Sequence, residues 1–186
     1  MASDTTPSDP AAVLADWQAA AAALQARSSP VGVARPDQMA GKTGLQMFEA
    51  MLAGHIPRAP ITETLDFALV EATHGRAVFQ GRPSTRHYNP LGTVHGGWFA
   101  TLLDSAVACA VQSTLPAGKT YTTAELKINI VRPLTDKVPL VRAIGTVIHV
   151  GGRMATAEGR LIGPDGKLYA HASTTCFIMD APASKT

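Results

Sequence analysis

The stretch HYNPLGTVHGGWFATLLDSAVACAVQS, residues 87–113, decides how the rest of the chain must be arranged. Its first part belongs to a loop over Thr85–Gly97, punctuated by Pro90, Gly92, Gly96 and Gly97. Its second part, from about Gly97 to Ser113, sets Trp98, Phe99, Leu102, Leu103, Ala106, Val107, Ala110 and Val111 on nearly every side of a helix. A helix that is apolar all round is buried, not laid on a surface. Pro116 and Gly118 close it. The apolar run Trp98 to Val111 is too short to cross a bilayer and contains Asp104, so no membrane span is expected.

Around this helix the period is that of strands. Thr62–Thr73 and Arg76–Arg82 straddle His74-Gly75, a hairpin signal. After the helix, strands are expected over Lys119–Val131, Val138–His149, Arg153–Ile162 and Lys167–Met179. Pro133–Lys137, Gly151-Gly152 and Pro164-Asp165-Gly166 separate them with turn chemistry. Short turns predict that these four are successive antiparallel neighbours. In the first of them Ala124, Leu126, Ile128 and Ile130 alternate with Glu125, Lys127 and Asn129, which predicts one buried and one wet face. An antiparallel sheet curled around one long buried helix, an α+β arrangement, is the simplest architecture.

Ahead of this domain, residues 1–10 read as a tail. An Ala-rich helix follows over Ala11–Arg27, with nine alanines between Ala11 and Ala26 and a start at Ser8 or Asp9 before Pro10. Ser28–Gln38 reads as a linker. A short helix at about Thr43–Ala53 puts Leu45, Phe48, Met51 and Leu52 on one side, and Gly54, Pro57 and Pro60 prevent its continuation. The expected division is an extension at 1–40, a domain at 41–180 and a tail at 181–186.

Composition narrows the function. The chain is 46% hydrophobic but only 5% aromatic, which suits closely approached backbones better than bulky interdigitation. Its net charge of +2 divides into −2 over residues 1–40 and +4 over the rest. That is too weak for a nucleic-acid stripe and compatible with a small polyanion. Cys109 and Cys176 sit in apolar runs and read as buried free thiols. With no CxxC or HExxH and scattered histidines, no metal and no cofactor are expected. The start MASDTTPSDP lacks the basic segment of a signal peptide, so a cytoplasmic protein is expected.

Asp104 needs an explanation. An unpartnered carboxylate in an apolar helix costs several kcal/mol. It is either satisfied by hydrogen bonds, set on the narrow polar edge formed by Thr101, Ser105 and Gln112, or used in chemistry. The loop before the helix bears on that choice. Its glycines let backbone N–H groups face a ligand, and the helix N-terminus adds positive potential, as an oxyanion requires. A structural turn is the plain alternative.

Asn89-Pro-Leu-Gly92-Thr-Val-His95-Gly96-Gly97, followed by Leu102-Leu103-Asp104, resembles the signature of PaaI-like thioesterases, the phenylacetate-degradation branch of the hotdog-fold superfamily. Thr122-Thr123-Ala-Glu-Leu126-Lys-Ile-Asn-Ile-Val-Arg132-Pro133 is similar to that family's next strand. The likeness covers about Thr43 to Met179. It implies hydrolysis of acyl-CoA thioesters by a hotdog protein, with Asp104 as nucleophile or general base. It further implies that the Gly96 N–H polarises the thioester carbonyl, that Asn89 orients water or thioester, and that Thr123 stands beside the carboxylate. His95 would hold the loop by hydrogen bonding, with direct proton transfer as the alternative catalytic role. Coenzyme A, part of the substrate, carries phosphates that Lys127, Arg132, Arg153 and the backbone at Gly152 would meet. Solvated sheet-edge charge is the alternative for each. Trp98, Phe99, Met47 or Met51 would lie against the acyl end unless they are simply core.

Gly96 and Asp104 lie eight residues apart on one helix, or about 12 Å along its axis. One chain cannot bring both to a single carbonyl. A second, antiparallel helix would, so active sites shared across a homodimer are expected, and the resemblance implies the same dimer, paired again into a homotetramer. Two other readings remain: a hotdog enoyl-CoA hydratase or dehydratase using His95 with Asp104, and a non-catalytic acyl-CoA sensor. The carbonyl-binding glycine corner argues against the first, and Asp104 itself against the second.

Overall fold

Residues 9–27 and 30–181 are described by the computed structural model; the expected tails at residues 1–8 and 182–186 lie outside them. The elements are α1 (Pro10–Ala26), α2 (Pro36–Met39), α3 (Gly44–Leu52), α4 (Pro60–Thr64), β1 (Phe67–Thr73), β2 (Arg76–Gly81), α5 (Gly96–Gln112), β3 (Lys119–Ile130), β4 (Val141–Val150), β5 (Met154–Ile162) and β6 (Leu168–Asp180). All strand pairs are antiparallel, and the single sheet has the order β1-β2-β4-β5-β6-β3. The sheet packs on α5, whose Phe99, Leu102, Leu103, Ala106, Val107 and Val111 are almost fully excluded from solvent. This is the hotdog architecture.

Two expectations are corrected. β3 does not neighbour β4: it pairs with β6 at the sheet edge, while β4 pairs with β2. The connection between them is no hairpin. Pro133 and Pro139 cannot donate to a ladder, and Leu134 is fully buried with its carbonyl accepting the Val94 N–H at 2.9 Å. The segment therefore packs on the loop before α5 and delivers the chain to the far strand. Nor does the first strand begin at Thr62. Pro60 sits in the first turn of α4, whose fixed φ favours helix, and Asp66 at φ 53° turns the chain into β1.

Few aromatics force intimate contact between α5 and the sheet. A Cβ at Gly145 would lie 2.2 Å from the Ala106 carbonyl oxygen, and one at Gly159 would lie 2.6 Å from Val107 Cγ1. At Gly145 strand backbone and helix backbone meet with nothing between them.

The extension is tied to this domain. Asp9 caps α1 by accepting the Ala11 N–H at 3.0 Å, and Pro10 occupies the first turn. Trp17 is buried on the outer face of the sheet, where its carbonyl accepts Gln80 Nε2 at 3.0 Å and its ring lies 4.7 Å below the Arg142 guanidinium. Within the expected linker, Val31 forms a parallel bridge with Arg58, and Gln38 Nε2 donates to the His55 carbonyl at 3.1 Å. No helix among the described residues is long and apolar enough to cross a membrane.

The Gly145 contact is testable. Gly145→Ala should lose about 1–3 kcal/mol or more, the cost of overpacking against a backbone that cannot yield. Gly152→Ala, where a Cβ meets nothing within 4 Å, should stay within about 0.5 kcal/mol. Urea denaturation of both variants checks the contrast.

Candidate active site

A bulge in β3 sets the side chain that meets Asp104. Strict alternation through Ala124, Leu126, Ile128 and Ile130 would turn Thr123 outward. The register shifts between Thr123 and Glu125, so Thr123 pairs with Cys176 and Leu126 with Thr174, both partners facing α5. The expected inward Ala124 is instead exposed, and Thr123 turns in. One extra residue on the bulged strand thus re-aims a side chain. Thr123 Oγ1 then donates to Asp104 Oδ1 at 3.1 Å.

Asp104 is half-buried. Burial pushes its pKa above the ordinary carboxylate value, and the Thr123 hydroxyl opposes that rise by stabilising the anion. Nearby, burial pushes the Cys109 thiol up to about 12 and raises the Tyr121 hydroxyl well above its usual range. Both stay protonated at neutral pH. Asp104 is therefore the group of this cluster that can take or hold a proton there.

The loop before α5 is fastened at several points. His95 caps the helix: its Nδ1 accepts the Gly97 N–H at 2.9 Å, and its own N–H donates to the His87 carbonyl at 2.8 Å. Asn89 closes the turn, with Oδ1 accepting the Leu91 N–H at 2.9 Å and Nδ2 donating to Thr93 Oγ1 at 3.0 Å. The Gly96 N–H, at the first helical position, has no partner among the described residues. It is a free donor at a positive helix end. His87, to which the sequence assigned no role, is buried and stacked on Trp98 at 5.4 Å, and burial lowers its pKa. A histidine in a loop gives no signal of such stacking, which depends on a side chain eleven positions away.

Thr123 and Asp104 are brought together, while Gly96, His95 and Asn89 stand at the other end of the α5 segment, about 12 Å along the axis. The four expected coenzyme-A contacts do not gather in one chain. Gly152 and Arg153 precede Met154, which pairs with Phe177 at the level of Thr122. Arg132 lies beyond Ile130 at the opposite end of β3, about 27 Å away at the rise of an extended strand, with its Nε donating to the Leu168 carbonyl at 3.4 Å. Lys127 is exposed on the outer face between them. Strand length separates residues that turn spacing alone leaves unplaced. Trp98 and Phe99 are buried core, Met51 packs against it, and Met47 Sδ meets Gln112 Nε2 at 3.9 Å. Among the described residues no group of three or more His, Cys, Asp or Glu is placed to hold a metal ion.

Because the Thr123 hydroxyl lowers the Asp104 pKa, Thr123→Val should raise it further. A carboxyl-carbon NMR titration reads the shift directly. An unchanged or lower value would show that the bond is not made in solution.

Comparison with known proteins agrees with the fold. The model of the thioesterase superfamily matches residues 91–170. A Halobacterium salinarum protein that carries an esterase name is 34% identical over 82 residues, 43% of this chain and 52% of that one. The chain thus spans about half the length of this curated relative. A crystal structure of a phenylacetic acid degradation-related protein from Ralstonia eutropha, which carries a thioesterase name, superposes with a TM-score of 0.64 at 29% identity, covering 70% of this chain and 98% of that one. A mutant form of the phenylacetic acid degradation protein PaaI from Thermus thermophilus gives a TM-score of 0.57 at 28% identity, over 63% and 97% of the two chains.

Proposed function

This chain belongs to the thioesterase superfamily and to its PaaI-like group of hotdog proteins, and from that premise we propose that it hydrolyses acyl-CoA thioesters to free coenzyme A and a carboxylic acid. The observation that carries the proposal is the pair on α5: a half-buried carboxylate held by Thr123, and an unpartnered N–H at Gly96.

In this reading the thioester carbonyl oxygen accepts the Gly96 N–H. Charge builds on that oxygen as the carbonyl carbon becomes tetrahedral, and the helix end stabilises it. Asp104 takes the proton of the attacking water, or attacks the carbonyl carbon itself to form an anhydride that water then opens. The C–S bond breaks, and the coenzyme A thiolate leaves and is protonated. A carboxylate whose pKa is raised by burial is a stronger base than a solvated one, provided it remains ionised at the working pH. The hydrogen bonds that occupy Asn89 and His95 suit them to holding the loop rigid, so that the Gly96 N–H points where the oxyanion forms.

The 12 Å between Gly96 and Asp104 requires a second copy. β3 is an edge strand of 12 residues with several exposed positions. Antiparallel approach of two such edges would set one chain's Gly96 opposite the partner's Asp104. It would also bring one chain's Arg132 toward the partner's Gly152 and Arg153, so that two chains supply the donors to the phosphates of one coenzyme A. A homodimer, or a tetramer of two such dimers, is therefore the proposed working unit.

A thiol-trapping assay across aryl, short-chain and medium-chain CoA esters should record free coenzyme A. Asp104→Asn should reduce turnover by about 10² or more while leaving substrate affinity near normal. Near-normal turnover in the folded variant would end the assignment of Asp104.

Sharing of the site has its own test. Asn89→Ala and Asp104→Ala, each inactive alone, should recover up to about a quarter of wild-type activity when co-refolded, because a mixed dimer places both lesions in one site and leaves the other intact. Verified heterodimers without activity would show that each site is built by a single chain.

A further inference from the structure

We propose that α1 roofs a second ligand site, independent of the Asp104 site, that takes an amphipathic carboxylate: an apolar chain or ring ending in one negative charge. A cavity of about 370 Å³ lies between α1, the α3–α4 segment and the edge strand β1. That volume is in the range of small-molecule pockets. Its origin is visible in α1. Trp17 anchors the helix on the sheet, but Ala19–Ala23 offer only methyl groups, and Ala21 is the one that faces the cavity. A helix held off the sheet by one large residue and carrying small ones beyond it leaves space that its own side chains do not fill.

The lining defines the ligand. Leu24 on α1, Met51 and Leu52 on α3, and Leu140 beside β4 form an apolar wall. With Arg58 left out of the count, Arg27, Arg82 and Arg86 line the cavity against the carboxylates of Glu63 and Asp66, an excess of one positive charge. Arg86 engages Asp66 at 3.2 Å, and Arg27 Nη1 donates to the Leu52 carbonyl at 2.9 Å, which leaves each guanidinium further N–H groups. The Arg82 side chain is exposed and makes no hydrogen bond or ion pair among the described residues. A carboxylate matches such forked donors, and its hydrocarbon would cover the apolar wall. A neutral or cationic ligand would leave the positive excess unanswered.

The site is separate from the catalytic candidate. Apart from Leu140, its lining comes from residues 21–86, ahead of the loop and α5. Gly81, which borders it, touches α5 through Leu102 and Trp98, where a Cβ would meet Leu102 Cδ2 at 2.6 Å. Asp104 follows Leu102 by two residues, about 200° around the helix, and faces β3, the opposite edge of the sheet from β1. The two sites lie on opposite sides of α5, and the second stands whether or not Asp104 cleaves thioesters.

The test is titration of the full-length protein with decanoate by calorimetry, with decanol as the uncharged control. One decanoate should bind per chain, with decanol at least about tenfold weaker, as loss of one charge-assisted contact implies. Ala21→Trp, which fills the cavity, should abolish binding. Arg82→Glu should weaken it about tenfold or more. Both variants should keep the far-ultraviolet circular dichroism of the parent, and Asp104→Asn should bind decanoate like the parent. Absence of saturable binding, equal affinity for decanol, or full affinity in folded Ala21→Trp or Arg82→Glu would each overturn the proposal, and so would loss of binding in Asp104→Asn, which would move the ligand to the other site.

Discussion

The depth at which α5 sits in the sheet governs everything else in this protein. With few aromatic side chains to space them, helix and strands meet backbone to backbone at Gly145 and side chain to backbone at Gly81 and Gly159. Packing at that distance leaves little room for adjustment, because interiors at near-crystalline density transmit displacement instead of absorbing it. The rotation of α5 about its axis is set by the same contacts. Leu102 and Trp98 are committed to Gly81, so Asp104 must emerge toward β3, and the helix start must emerge beside the fastened loop.

That rotation confronts the fold with a carboxylate it cannot fully solvate. The β3 bulge answers it: the register shift turns Thr123 inward so that its hydroxyl reaches the Asp104 oxygen. One hydroxyl only partly offsets the burial, and the carboxyl remains a stronger base than it would be in water. A stability cost of this kind, retained in place of a neutral residue, is characteristic of sites that do chemistry. The opposite end of the helix is arranged in a complementary way, since His95 satisfies the Gly97 N–H and the Gly96 N–H has no partner among the described residues.

The N-terminal extension follows different rules. Its helix forms on local grounds, from alanine content, an Asp9 cap and Pro10 in the first turn. Among the described residues, α1 and its cap are held by the Trp17 carbonyl and ring on the cross-strand pair Gln80 and Arg142, and by the Arg27 hydrogen bond to Leu52. A strongly helical but weakly anchoring sequence explains both why the element is unambiguous and why it spans a void.

What the sequence determined by itself was local and periodic. The all-round apolar run from Trp98 to Val111 made a buried helix unavoidable, alternation and turn residues marked the strands, and alanine with a proline start marked α1. The spacing from Asn89 to Asp104 pointed to the family. What only the tertiary structure decided was every relation between distant segments. Turn signals could not tell that β3 crosses to β6, because the partner of a strand depends on where Leu134 finds burial. Alternation could not foresee that Thr123, and not Ala124, faces Asp104, because a bulge belongs to a pair of strands and not to one. Arg132 stands at one end of an extended strand and Gly152 with Arg153 at the other, a separation that turn spacing does not reveal. Local propensity and periodicity act within a few residues and are therefore written in the chain; register, crossing and distance arise from burying many segments at once, and only the folded molecule fixes them.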